Sequence, residues 1–176
     1  MNNFELTILE FIHGLIACKW LDIFFKSFTA LGNGGAIWII ITLILLVFPK
    51  TRKCGLTMAI SLILCLIFGN LLLKPLVART RPFDVKTALE IIISKPTDFS
   101  FPSGHTFSSF ASAFTIFKNY RKCGIAAIIF ASLMAFSRLY LCVHYPTDVL
   151  AGIVMGIIIS NISNKIYCKY LERKAV

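Results

Sequence analysis

A chain of 176 residues that is 57% hydrophobic, with a mean hydropathy of +0.81, is too apolar for a soluble domain, which runs at about 45–50% apolar residues. Its length fits one domain. The net charge of +10 gathers at the ends of apolar runs rather than along a continuous face, which argues against nucleic-acid binding and fits the loops of a membrane protein.

Residues 1–18 carry Glu5 and Glu10 and no basic start, so no cleavable signal peptide is expected. Residues 4–31 are apolar but interrupted by Glu5, Glu10, His13, Lys19, Asp22 and Lys26. Lys19, Asp22 and Lys26 recur at i, i+3, i+7 and share a helical face. An amphipathic helix at the outer interface is the first reading of this stretch, and a broken or tilted sixth span the second. Leu31-Gly32-Asn33-Gly34-Gly35 is a turn signal.

A membrane span needs about 20 apolar residues. Five runs approach this, at about 34–48, 54–73, 103–117, 123–141 and 147–166, and the first and third need extension into their flanks. The long loop 83–101 mixes Asp84, Lys86, Glu90, Lys95 and Asp98 with Ala88-Leu89-Glu90-Ile91-Ile92-Ile93, which predicts a short helix lying against the membrane. The fold class is all-α: a single-domain integral membrane bundle over 1–176, with five spans and an N-terminal amphipathic or sixth membrane helix. The six cysteines contain no Cys-x-x-Cys pair, so neither a disulfide framework nor a zinc site is indicated.

Loop charges orient the spans. Lys50-Thr51-Arg52-Lys53, Lys118-Asn119-Tyr120-Arg121-Lys122 and the tail cations Lys165, Lys169, Arg173 and Lys174 fall on one side if the five runs alternate. That side is expected to be cytoplasmic. The opposite, extracytoplasmic side then collects three polar clusters.

The first cluster is Lys74 with Arg81-Pro82. Seven residues separate the cations, two turns if the helix continues past Lys74 and bends at Pro75. Between them, Arg79 reads as a cation snorkelling from a helix end. The second is Pro102-Ser103-Gly104-His105. Ser103 can cap a helix, Gly104 lets backbone approach a ligand, and free amides at a helix start bind anions. The third is Ser137-Arg138, His144 and Asp148. Arg138 lies inside an apolar run, where a charge costs about 2.5–3.5 kcal/mol on insertion scales, so it must face a polar cavity or a partner. Asp148 can accept one ring N–H of His144 and leave the other nitrogen free as a nucleophile or base. His13 lacks such a partner and reads as structural. Two histidines and an aspartate could also form a metal triad. The crowding of Lys74, Arg81 and Arg138 favours an anion there instead.

Lys74-x6-Arg81-Pro82, Pro102-Ser103-Gly104-His105 and Ser137-Arg138-x5-His144-x3-Asp148 together resemble the three-part signature of the type-2 phosphatidic acid phosphatase family, which shares its site with vanadium haloperoxidases. The motifs cover residues 74–148 in the family's order and spacing, which makes the match specific. The resemblance implies that His144 attacks phosphorus and forms a phosphohistidine, that Asp148 orients it, and that His105 protonates the leaving oxygen and later activates water. It implies that Lys74, Arg81 and Arg138 hold the phosphate oxygens with help from Ser103 and the Gly104 amide, and that no metal or other cofactor takes part. Opposite protonation states of the two histidines give an expected bell-shaped pH profile. The expected partners are a phosphorylated membrane lipid and the bilayer, with no nucleic acid.

The short chain and small outer loop resemble the undecaprenyl diphosphate phosphatases, so undecaprenyl diphosphate is the expected substrate. Phosphatidylglycerophosphate and phosphatidic acid are the alternatives, and a non-catalytic lipid-binding or transport protein is the rival from another class. Larger members begin with an extra span that this chain is expected to lack.

Overall fold

The computed structural model describes residues 3–86, 89 and 91–174. Among them the fold is all-α, with no strand. The N-terminal stretch forms two helices, α1 (Asn3–Ile16) and α2 (Lys19–Ala30), separated at Ala17 and Cys18. A 3-10 turn at Asn33–Gly35 follows, with Gly34 and Gly35 at φ 58° and 74°. Only glycine adopts such angles freely, which is why the turn falls there. Then come α3 (Ala36–Val47) and α4 (Arg52–Cys65). The π-helical segment Leu66–Leu73 and the turn α5 (Lys74–Val77) extend α4. Pro75 has no N–H and its ring crowds the preceding turn, and wider π turns upstream relieve that conflict.

The remaining elements are the one-turn α6 (Pro82–Val85), α7 (Gly104–Asn119), α8 (Arg121–Tyr140) and α9 (Pro146–Lys174). All five apolar runs are therefore helical. The stretches Arg52–Val85, Arg121–Tyr140 and Pro146–Arg173 are long and apolar enough to cross a membrane. The first predicted span is met only jointly: α2 and the Asn33–Val47 segment together have the length, across a 44° bend. The third is the 16-residue α7, short for a span and buried along much of its length.

α7 is the hub of the bundle, packed against α4, α8 and α9. Its approach to α9 is close because α9 offers Gly152 and Gly156, one helical turn apart. A methyl group at Gly156 would stand 2.8 Å from Phe110 Cβ and 2.9 Å from the backbone of Ala111. Small residues at this spacing let membrane helices touch backbone to backbone. Hydroxyls complete the seam: Ser61 and Ser160 each lie 3.1 Å from Thr115, and Trp38 Nε1 donates to Ser109 at 2.8 Å.

The loop after α6 departs from expectation. Leu89 and Ile91–Ile93 are not helical, while Thr87, Ala88 and Glu90 lie outside the described residues. Leu89 packs with Leu6 and Leu9 under α1, and the isoleucines pack against Phe25 and Phe83. β-branched residues gain little from a helix, and spreading over two clusters buries more of them.

Candidate active site

Four elements deliver the three clusters to one end of the bundle: the end of the α4–α5 segment, the start of α7, the end of α8 and the start of α9. Lys74, Arg81, Gly104, His105, Arg138 and His144 share the wall of one cavity of about 790 Å³. Ser103 and Asp148 stand behind that wall, fully buried.

Lys74 and Arg81 meet, but not on one helical face. The helix stops at Val77, and Ala78 takes a left-handed conformation (φ 46°) that turns the chain back. Both cations reach Asp98 of the following loop. Lys74 pairs with one carboxylate oxygen, and Arg81 Nη2 donates to the other at 2.6 Å. Arg81 also donates from Nε to the Asp98 carbonyl at 2.8 Å and from Nη1 to the Val143 carbonyl at 2.7 Å. Burial raises the Asp98 carboxyl, but the hydrogen bond and charge of Lys74, then the charge and hydrogen bond of Arg81, outweigh it and bring it down to about 2. The sequence offered no signal that Asp98, one of several loop charges, would sit between the two motif cations.

Ser103 precedes α7, but its hydroxyl does not cap the helix. It lies 3.0 Å from Thr106 Oγ1, and the Ser103 N–H donates to the Asp148 carbonyl at 3.2 Å. Its structural part is to tie the α7 start to α9. Gly104 opens the helix within reach of Lys74 and Asn70. His105 Nε2 lies 3.1 Å from Asn33 Oδ1, so the glycine turn before α3 aims this imidazole. Gly32 makes that turn possible, since a methyl there would stand 2.6 Å from the His105 ring.

Arg138 is 2% exposed. One guanidinium nitrogen donates to Thr29, and its Nε has no hydrogen-bond partner among the described residues. A buried arginine with unspent donors beside a cavity is a socket for an anion. Ser137 is spent on its own helix, donating to the Met134 carbonyl at 2.6 Å.

His144, in the loop between α8 and α9, is also 2% exposed. Its Nδ1 faces Asp148 Oδ2 at 3.6 Å, longer than a hydrogen bond, and its Nε2 lies 3.4 Å from Arg81 Nη1. Asp148 is held firmly. Oδ2 accepts from Ser100 Oγ at 2.5 Å and from the Tyr145 N–H at 2.9 Å. Burial pushes the His144 imidazole down to about 3; the facing Asp148 carboxylate opposes this, and the Arg138 and Arg81 charges add to it. The lowered pKa favours the neutral imidazole, with Nε2 facing the cavity and Arg81.

Arg79 is not a snorkelling cation. Its side chain is 20% exposed, and it donates to Asp148 Oδ1 and to Glu5 Oε2, each at 2.5 Å. Lys74, Arg79 and Arg81 are too alike in sequence to reveal that two turn to one side and one to the other. The partners that packing brings to each decide it: Asp98 for Lys74 and Arg81, Asp148 and Glu5 for Arg79. His13 packs against Tyr140, ring centroids 5.8 Å apart, away from the cavity wall.

Residues 52–170 match the PAP2 superfamily. The undecaprenyl-diphosphatase of Sulfolobus acidocaldarius is 39% identical over 131 residues, 74% of this chain and 63% of that protein. The chain thus spans less than two thirds of that relative's length. The lipid A 4'-phosphatase of Bacteroides thetaiotaomicron is 29% identical over 170 residues, 89% of this chain and 73% of that protein. Among solved structures, Aquifex aeolicus LpxE superposes with a TM-score of 0.75 at 26% identity, over 93% of this chain and 96% of that one. The transmembrane PAP2 type phosphatidylglycerolphosphate phosphatase from Bacillus subtilis gives 0.74 at 25% identity, over 94% and 85%. The match runs through all three clusters on a shared helical fold, and by it the chain belongs to the PAP2 superfamily.

Proposed function

We propose that the protein is a metal-independent membrane phosphatase that removes the terminal phosphate of a lipid diphosphate, with undecaprenyl diphosphate as the favoured substrate. The observation that carries this reading is the cavity itself. One end is walled by Lys74, Arg81, Arg138 and the two histidines, and the other by Ile39, Leu43, Leu46, Leu62, Ile63 and Leu66 of α3, α4 and the π segment. Such a cavity takes an anionic head at one end and an apolar chain at the other. The relatives' names add a lipid diphosphate and phosphorylated lipid A as precedents for the class.

In this mechanism the cations hold the terminal phosphate and neutralise charge building on its oxygens, which is the part a metal would otherwise play. His144 Nε2 attacks phosphorus from one side. The bond from phosphorus to the bridging oxygen breaks, its electron pair leaves with the lipid monophosphate, and His105 supplies a proton. Water then attacks the phosphohistidine, giving its proton to His105. The P–N bond breaks, its electrons return to the imidazole, and inorganic phosphate leaves. Asp148 steadies the transient cation on His144.

The site is assigned to the extracytoplasmic side. Tyr120 Oη donates to the Lys50 carbonyl at 2.8 Å, which supports two of the three basic clusters sharing one end, the far end of α7 and α8 from the cavity.

The test is phosphate release by detergent-purified protein, with chelator present, on undecaprenyl diphosphate, phosphatidylglycerophosphate and phosphatidic acid. The expected result is fastest turnover on the diphosphate and none in His144→Ala. Loss of activity on adding chelator would overturn the metal-free mechanism, a faster rate on either glycerolipid the substrate assignment, and absence of turnover on all three the enzymatic reading.

A further inference from the structure

Arg79 has a place in the site that the three motifs do not assign to it. Its guanidinium lies 3.9 Å from the centroid of the Tyr145 ring, between two carboxylates from distant parts of the chain. Nη1 donates to Asp148 Oδ1 and, at 2.7 Å, to Thr147 Oγ1. Nη2 donates to Glu5 Oε2 of α1. Glu5 is 6% exposed, and its other oxygen accepts from the Thr147 N–H at 3.1 Å and the Thr147 hydroxyl at 2.7 Å. A carboxylate from α1 thus satisfies a free amide in the first turn of α9, where helix ends have donors to spare.

The division of the Asp148 oxygens gives this network its consequence. Oδ2 serves Ser100, the Tyr145 amide and the His144 face, while Oδ1 is held by Arg79. A carboxylate gripped at Oδ1 cannot rotate Oδ2 away from the imidazole.

We propose that Arg79 is a positioning residue that locks Asp148 against the nucleophile, with Glu5 as its anchor on α1, so that docking of α1 is part of building the active site. This rests on His144 being the nucleophile. Arg79 touches no phosphate oxygen in this arrangement, because Lys74, Arg81 and Arg138 line the cavity and Arg79 does not. Its loss therefore acts on the rate of attack and spares binding.

The experiment compares the parent, Arg79→Ala, Arg79→Lys, Glu5→Gln and the Arg79→Ala/Glu5→Gln double variant with His144→Ala. It measures kcat and KM on undecaprenyl diphosphate and inhibition by vanadate. Removing a partner that orients a functional ligand commonly costs roughly 10- to 100-fold. Arg79→Ala is expected to lose kcat on that scale, with KM and the vanadate constant within about twofold of the parent, and Arg79→Lys to regain part of the loss. Glu5→Gln, which keeps its volume, is expected to lower kcat less. The double variant should be no slower than Arg79→Ala, since two members of one chain of contacts are not additive. A raised KM and vanadate constant at parental kcat would make Arg79 a phosphate ligand and overturn the proposal. Parental kcat in both Arg79→Lys and Glu5→Gln would overturn it even if Arg79→Ala failed to fold. A His144→Ala variant with the parental rate would instead sink the nucleophile assignment.

Discussion

A buried arginine with no ion-pair partner among the described residues is the most informative single residue in this protein. Arg138 has one contact, to Thr29, and an Nε with no partner among the described residues. Leaving donors of a buried charge unspent costs energy that only a ligand repays. Hydrogen bonds to charged groups contribute about 1.5–3 kcal/mol. Arg138→Ala should therefore raise the vanadate inhibition constant at least roughly tenfold, and an unchanged constant would remove Arg138 from the cradle. His144 carries a second prediction at this scale. Its imidazole resists protonation in the fold down to about 3, against an ordinary value of 6.5. Between those pH values the unfolded chain binds a proton on this residue that the fold does not, so stability falls as pH falls. The thermal midpoint in detergent should drop from pH 7 to pH 5, and the drop should shrink in His144→Asn.

Two elements decide whether these residues can meet. The first is the α7–α9 seam. Gly156 lies against Phe110 with no room for a side chain, and Gly152, one turn nearer the site, is tight as well, an added methyl standing 3.1 Å from the Ser103 carbonyl. Overfilling a packed contact costs about 1–3 kcal/mol. Gly156→Val should lower the thermal midpoint and also kcat, because it parts the helix bearing His105 from the one bearing Asp148. The second is the loop leading into α7, whose Asp98 holds Lys74 and Arg81. In the proposed mechanism an incoming phosphate displaces that carboxylate. Asp98 is about half exposed, so solvent screening limits the competition to no more than about 1 kcal/mol, or roughly fivefold. Asp98→Asn should lower KM and the vanadate constant by up to that factor, and a rise in either would show that Asp98 helps to build the cradle.

At the scale of the molecule, the proposed orientation in the membrane rests on where the cations lie. One end of α7 and α8 carries Lys118, Arg121 and Lys122 and is tied to the 50–53 loop through Tyr120; the other carries the cavity. With Cys18, Cys123 and Cys168 replaced by serine, Lys86→Cys should react with an impermeant maleimide in intact cells and Lys50→Cys only after permeabilisation. The reverse pattern would move the site to the cytoplasm. The relatives divide among a lipid diphosphate, a lipid A phosphate and a phosphatidylglycerolphosphate by name.

The order and spacing of Lys74, Arg81, His105, Arg138, His144 and Asp148, and the helical nature of the five apolar runs, were legible in the chain alone. The first rests on the resemblance to a family signature; the second follows from local rules, since apolar length specifies a helix, and a charge in an apolar run such as Arg138 requires a partner. What only tertiary structure decided depends on contacts between residues far apart in sequence. The helix ends at Val77 and the non-helical stretch 78–81 takes Arg79 to Asp148 and Glu5, 69 and 74 residues distant, while Arg81 joins Lys74 at Asp98. The glycine turn at 32–35 delivers Asn33 to His105, 72 residues on. The motif set Arg79 apart from its two neighbours but gave it no partner, because which carboxylates the packed helices bring to meet it depends on contacts far apart in sequence.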